Sequence, residues 1–322
     1  MKEFEIINKY FKKLTLSNPA ADGLNNDVAN FSIENDRQLV VSKDVMVEDV
    51  HFKRVYGGSK VAHKLLTSNL SDLASAGASP HSYMIGFTKD DDLDEVFLSS
   101  FCSKLSELSK KHNISLIGGD TTSSNAGLFF SLTIFGTCPK NKILSRSGGC
   151  DEDLIFVSGN IGDSYVGLKI LQNKIDVKNI NIKDYFLEKH YYPEPRLSLG
   201  SKLIERNLSN TAIDVSDGLF ADLNHICQNS NLGANIFLEK IPVSRYVKTL
   251  SLDIMKLLSG GEDYELIFTT KRSNREKILN LANELELKIT EIGFLSKNND
   301  REIKLFDQSN RLVKIKKYGY EH

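Results

Sequence analysis

The chain has 322 residues, of which 40% are hydrophobic and 26% charged, and its net charge is −1. That length allows two ordinary domains, and the near-neutral balance argues against a nucleic-acid-binding surface. The longest weakly polar run, GLFFSLTIFGTC, is too short to cross a membrane, and the acids within MKEFEIINKYFKK argue against an export signal. The cysteines at 102, 138, 150 and 227 are widely spaced without a CxxC pair. This fits reduced thiols in a cytoplasm, and neither a zinc site nor a disulfide frame.

In chain order, FEIINKYFKKL places Phe4, Ile7, Phe11 and Leu14 on one helical face. QLVVSKDVMV reads as a strand. SKVAHKLLTSNLSDLASAGA reads as a long helix that buries Val61, Leu65, Leu66, Leu70 and Leu73. The strand SYMIGFT follows, then a helix over DLDEVFLSSFCSKLSELSKKHN, with acids in its first turn and lysines in its last. SLIGG and LFFSLTIFGTC are strands. PKNKILSRSGGCDED, with proline, glycine and charge, is the candidate boundary, predicting domains over 1–140 and 141–322. The second half restarts with strand DLIFVSG, a helix from Asp163, helix RLSLGSKLIERN, strand TAIDVS and helix GLFADLNHICQNS. Strands ANIFLEKI and YELIFTT, helix NREKILNLANEL and closing strands complete it. Mixed α/β (α+β) is the expected class.

The common phosphate-loop, dinucleotide, zinc-protease, hydrolase and kinase signatures are all missing. What remains is acids at strand ends beside glycines or small residues: Asp27, Asp44, Asp72, Asp120, Asp214 and Asp217. Hard oxygen donors without a Cys or His cluster suit magnesium rather than zinc. Glycine lets a backbone approach a phosphate, and magnesium among such acids would clamp a polyphosphate. Each residue has a structural reading too. Such aspartates commonly serve as turn or helix-cap residues, Gly118-Gly119 and Gly260-Gly261 as tight turns, His51 as a hydrogen-bonded histidine and Arg146 as a surface charge.

The motifs KDVMVEDVHF, NLSDLASAGASP, LIGGDTT, RSGG, PEPR, AIDVSDGLFADLNHI and SGGEDYELIF make the chain resemble the thiamine-monophosphate kinase family. Its superfamily includes aminoimidazole ribonucleotide synthetase and selenophosphate synthetase. The resemblance runs nearly end to end. It implies an N-terminal domain that dimerises through its sheet, a C-terminal α/β domain, and an active site between them. It further implies magnesium-assisted transfer of the γ-phosphoryl group of ATP to thiamine monophosphate in a cytoplasmic homodimer. Carried over position by position, the metal ligands would be Asp27, Ser42, Asp44, Asp72, Asp120, Asp214 and Asp217. ATP would be met by Gly119, Asp120, Arg146 and Ser216, and the thiamine part by His51, Glu262 and Tyr320. Asp44, Asp120 and Arg146 would be the residues at the reacting phosphates. Asp263 and Glu265 receive no role.

Two departures stand out: Asn26 replaces the first acid of a family pair whose second is Asp27, and Lys43 replaces a threonine before Asp44. A charged lysine cannot ligate metal. Either a metal is held differently, or Lys43 supplies its charge to a phosphate directly. The expected mechanism is in-line attack by a phosphate oxygen that is already anionic, so no strong base is needed. Positioning and charge neutralisation by magnesium, Arg146 and glycine-loop N–H groups would carry it. The alternatives are another ATP-dependent synthetase of the superfamily and a non-catalytic nucleotide-binding dimer.

Overall fold

The computed structural model describes residues 3–25, 28–250, 252–297 and 301–320. Two units emerge, one of residues 1–73 with 78–141, the other of residues 74–77 with 142–322.

The first unit holds α1 (Glu3–Ile6), β1 (Arg37–Val47), α2 (Gly58–Ser75), β2 (Ser79–Lys89), α3 (Glu95–His112), β3 (Ser115–Ser123) and β4 (Phe129–Pro139). Its sheet runs β1-β4-β2-β3, with β2 and β3 parallel and the other neighbours antiparallel. Strand alternation decides what each face carries. Phe130, Leu132 and Ile134 of β4 are fully buried, and Phe101 of α3 stacks on Phe130 with ring centroids 4.5 Å apart. The five α2 positions expected inside are all 1% exposed or less. Asp94 begins α3 by accepting the Phe97 N–H at 2.6 Å, and Asn113 ends it in the left-handed conformation. The opposite face is open at β1, where Leu39, Val41 and Val45 are 42%, 51% and 39% exposed.

The N-terminal helix differs from expectation. After α1 the chain widens into a π-turn over Ile7–Phe11 and then tightens into a 3₁₀ turn over Lys12–Thr15. The changed pitch buries Ile6, Tyr10, Phe11 and Leu14, and leaves Phe4 72% exposed.

In the second unit, β5 (Leu154–Ser158), α4 (Asp163–Leu171), α5 (Ile180–Tyr191), α6 (Leu197–Glu205), β6 (Thr211–Asp214) and α7 (Leu219–Ser230) come first. They are followed by β7 (Gly233–Phe237), α8 (Arg245–Thr249), α9 (Ile254–Leu258), β8 (Leu266–Thr270), α10 (Arg275–Glu284), β9 (Ile289–Ser296), β10 (Ile303–Phe306) and β11 (Leu312–Val313). The sheet order is β11-β10-β7-β9-β5-β8-β6, with β7 and β10 parallel and the other neighbours antiparallel. Ile155, Val157 and Ile267 pack with Leu219, Phe220 and Leu223 of α7. Their neighbours Leu154, Phe156, Leu266 and Phe268 pack on the other face with Leu199 and Leu203 of α6 and Ile278 of α10. A sheet covered on both sides explains why these strands are apolar throughout rather than alternating. The mixed α/β class is as expected.

Candidate active site

Two neighbouring strand positions of the first unit face α2. Ser42 Oγ donates to Asp72 Oδ2 at 2.5 Å. Asp44 lies two residues on, on the same face of β1. Burial pushes its carboxyl above the usual range, opposed by a hydrogen bond from Ser68 and by the charge of His51. His51 sits in the turn that leaves β1, where its Nδ1 accepts the Val47 N–H at 3.1 Å. Arg54 clamps that turn through Nε and Nη2 to the two Glu48 carboxylate oxygens at 2.9 and 2.7 Å. Ser42, Asp44, Asp72 and His51 are therefore brought together around one end of β1.

Asp120 does not join them on that face. Asp44 is in register with Leu132, Ile85 and Gly119, whereas Asp120 is in register with Gly86, Ser131 and Val45, one row further. Adjacent rows point to opposite faces of a sheet, so Asp44 and Asp120 look away from each other. Gly118 and Gly119 lie inside β3, not in a phosphate-cradling loop. A Cβ on Gly119 would stand 2.1 Å from the Ile85 carbonyl oxygen, so the glycine serves close strand approach. Lys43 is likewise on the open face, its Nζ donating to Thr133 Oγ1 at 3.2 Å. One step along a strand reverses the side chain, so Lys43 shares its face with Asp120 and not with Asp44. Asp27 and Asn26 lie outside the described residues.

In the second unit three segments meet by backbone hydrogen bonds. The Glu262 N–H donates to Ser216 O at 2.8 Å, the Tyr264 N–H to Val215 O at 2.9 Å and the Tyr320 N–H to Asp217 O at 2.9 Å. Ser216, Asp217, Glu262 and Tyr320 thus gather at the end of β6, which closes with the buried Asp214. Glycine permits the approach, since a Cβ on Gly261 would be 1.9 Å from Ser216 O. The N–H groups of Ser216, Asp217 and Gly218 all donate to Asp222 Oδ2, at 3.0, 3.1 and 3.1 Å. Those amides are already bonded, so the side chain of Ser216 is what this turn offers a nucleotide. Burial pushes the Asp222 carboxyl up to about 7, aided by the Asp217 charge and opposed by the three N–H groups. Arg146 is exposed, follows Ser145, whose carbonyl accepts the Ala212 N–H at the start of β6 at 3.0 Å, and its side chain makes no ion pair or hydrogen bond among the described residues.

The acids of SGGEDYELIF separate cleanly. Glu262 has a left-handed backbone (φ 69°), and its Oε2 lies 3.3 Å from Nδ1 of the buried His190 on α5. Asp263 caps α4, accepting the Gly162 and Ser164 N–H groups at 2.7 and 3.1 Å, although burial holds its carboxyl well above the usual range. Glu265 takes both ends of the Arg196 guanidinium, at 2.7 and 2.6 Å, and the Ser158 hydroxyl at 2.5 Å. Asp263 and Glu265, left without roles above, are scaffold. His190, Arg196 and Asp222 were missed as neighbours of the site. The only signals were PEPR and the second acid of SDGLFAD, two motifs that carry no ligand chemistry by themselves.

Ser42, Asp44 and Asp72 in the first unit, and Asp214 and Asp217 in the second, all offer hard oxygen, as magnesium requires. Among the described residues, no three carboxylate, histidine or cysteine side chains converge on one point. Magnesium is usually held by one or two carboxylates together with substrate phosphates rather than by an all-protein cage, so the residues fit a metal that arrives with a nucleotide.

Residues 25–138 match the N-terminal domain, and residues 151–305 the C-terminal domain, of AIR synthase related protein. The thiamine-monophosphate kinase of Escherichia coli (strain K12) is 38% identical over 325 residues, covering 99% of this chain and 98% of that protein. Among solved structures, thiamine-monophosphate kinase from Stenotrophomonas maltophilia K279a superposes with a TM-score of 0.83 at 31% identity, covering 95% of this chain and 96% of its own. AaThiL complexed with AMPPCP and TMP gives a TM-score of 0.77 at 26% identity, covering 99% of this chain and 97% of its own.

Proposed function

The chain belongs to the thiamine-monophosphate kinase family of AIR synthase related proteins, and from that premise we propose that it transfers the γ-phosphoryl group of ATP to thiamine monophosphate, forming thiamine diphosphate and ADP. The observation that carries this reading is the gathering of Ser216, Asp217, Glu262 and Tyr320 by backbone bonds at the end of β6. Acids and an aromatic there suit a substrate that is anionic at one end and cationic at the other.

On this reading Glu262 meets the organic cation of thiamine, and Tyr320, 55% exposed, offers its ring face to the thiazolium. His51 is assigned to the thiamine part as well. Arg146, free of protein partners among the described residues, is available to the nucleotide phosphates, with Ser216, Gly119 and Asp120. The acceptor phosphate oxygen is anionic at neutral pH, so it attacks the γ-phosphorus in line without a protein base. Ser42, Asp44, Asp72, Asp120, Asp214 and Asp217 would hold magnesium, as would Asp27. Bound magnesium supplies positive charge that offsets the repulsion between acceptor and polyphosphate. Orientation of the two substrates by the residues named does the rest.

We place the protein in the cytoplasm as a homodimer. The described residues contain no helix long and apolar enough to cross a membrane, and all four cysteines are free. The dimer reading rests on the open face of the first sheet, where an edge strand exposes Leu39, Val41 and Val45.

Incubating the purified protein with ATP, magnesium and thiamine monophosphate tests the function. ADP and thiamine diphosphate should appear together. Absence of ADP above the control without acceptor would sink the proposal, and ADP without thiamine diphosphate would favour a different acceptor.

A further inference from the structure

Asp222 is 2% exposed and belongs to none of the ligand sets above. It stands in the first turn of α7, and one of its oxygens receives three consecutive backbone N–H groups, from Ser216, Asp217 and Gly218. Ser216 and Asp217 present their carbonyls outward. Ser216 O accepts the Glu262 N–H and Asp217 O accepts the Tyr320 N–H, while the Ala221 N–H donates to Tyr318 O at 3.1 Å. Two glycines make these approaches possible without intervening side chains. A Cβ on Gly261 would meet Ser216 O at 1.9 Å, and one on Gly319 would meet Asp217 O at 2.6 Å. Gly218 turns the chain into α7 at φ 129°, which a side chain would resist. The turn is thus pinned from inside by a single carboxylate and holds two other segments on its outer side.

We propose that Asp222 is a positioning residue: it fixes the 216–218 turn and, through the carbonyls of that turn, sets the Glu262 and Tyr320 segments for phosphoryl transfer. The proposal rests on the function given above, but its structural half does not depend on it. Three N–H groups on one carboxylate oxygen stabilise its ionised form, and such charge-assisted bonds are stronger than neutral ones. Asp222→Asn keeps the shape and an acceptor oxygen while removing the charge, so the turn should loosen rather than collapse. Loosening moves Ser216 and Asp217 directly, and Glu262 and Tyr320 at second hand. A displacement of about 1 Å can cost a positioned reaction on the order of 100-fold.

Two measurements on the full chain test this. The first is amide hydrogen exchange without ligands. In Asp222→Asn, exchange should rise together at 216–218, at Glu262 and Tyr264, and at Tyr320, with β5 and β7 unchanged. A rise confined to 216–218 would overturn the coupling. The second is steady-state kinetics with ATP and thiamine monophosphate. Asp222→Asn should lose roughly 10- to 100-fold in kcat/KM for both substrates, and Asp222→Glu, which keeps the charge, should recover part of it. Parental kcat and KM in folded Asp222→Asn, with only a lower Tm, would show a merely structural residue and overturn the proposal. If Asp222→Asn does not fold, Asp222→Glu is read by the same two measurements. If the parent forms no ADP, the proposed function fails, and the exchange pattern alone decides whether Asp222 couples the three segments.

Discussion

SLIGGDTTS and LLSGGEDYELIF look alike as sequence: an apolar run, two glycines, then acid. In the first unit the pattern is one continuous strand, β3, with Asp120 exposed on the open face. In the second it is a turn between α9 and β8, with Glu262 and Tyr264 both left-handed, at φ 69° and 52°. The glycines explain the split. Gly119 clears space for a neighbouring strand, so the chain stays extended, whereas Gly260 packs against the Tyr165 ring and Gly261 against Ser216 O, so the chain folds around other loops. A glycine pair therefore marks close approach in both places, and what approaches decides whether the following acid is a lone surface acid or one of several acids with divided duties.

The largest effect should come from the acid that the comparison makes structural. Glu265 and Arg196 form a bidentate pair whose side chains are 9% and 16% exposed. Glu265→Ala strands the guanidinium and the Ser158 hydroxyl, with Glu194 at 3.4 Å as its remaining charge partner. Chemical denaturation should show a loss of roughly 3 kcal/mol, since breaking one side of a buried pair leaves an uncompensated charge. Stability within about 0.5 kcal/mol of the parent, as for an ordinary surface change, would remove Glu265 from the scaffold.

Asp120→Asn should do the reverse. Asp120 is exposed and makes no contact that stability needs, so melting should be unchanged, while turnover should fall by about 100-fold or more if it holds magnesium against the polyphosphate. Asp44→Asn should cut turnover similarly, and its neutral side chain should be tolerated because burial already disfavours the Asp44 charge. Near-parental turnover in either variant would withdraw that residue from the site.

The difference between the two stretches could not be read locally. The buried face of α2 was legible because five apolar positions follow one helical stripe. The first helix was not, because a π-turn changes its pitch from within. Helix α5 escaped notice since the apolar residues of INIKDYFLEKHY are scattered rather than set in one stripe, and only Phe186, His190 and Tyr191 are fully buried. At the end of β6 the motifs pointed to segments that do meet, but partners lie far off in sequence, Arg196 being 69 residues from Glu265. The opposed faces of Asp44 and Asp120 depend on register through β4 and β2, which no window of β1 or β3 contains.

A smaller effect is expected at the chain end. Tyr320 is tied to Asp217 through its backbone, so Tyr320→Ala should leave that bond intact and remove only the ring. A cation–π contact is worth about 0.5–2 kcal/mol, so KM for thiamine monophosphate should rise roughly twofold to thirtyfold with KM for ATP little changed. Equal rises for both substrates would show that the ring supports the segment and not the thiazolium.

The smallest effect tests the left-handed turn itself. A non-glycine residue at φ 69° carries about 1–2 kcal/mol of backbone strain, which glycine would relieve. Glycine also gives the unfolded chain more freedom, at a cost of about 0.5–1 kcal/mol, so Glu262→Gly should be slightly more stable than the parent, by up to about 1 kcal/mol. The same variant should bind thiamine monophosphate less well, because the carboxylate is gone. Gain of stability with loss of substrate affinity is what strain retained for function produces. Gly119→Ala is the counterpart in the first stretch: it should lose stability, because its methyl group has only the Ile85 carbonyl to enter. If Glu262→Gly is instead clearly less stable than the parent, then the contact of its side chain with His190 outweighs the strain, and Glu262 belongs with Asp263 and Glu265 as scaffold.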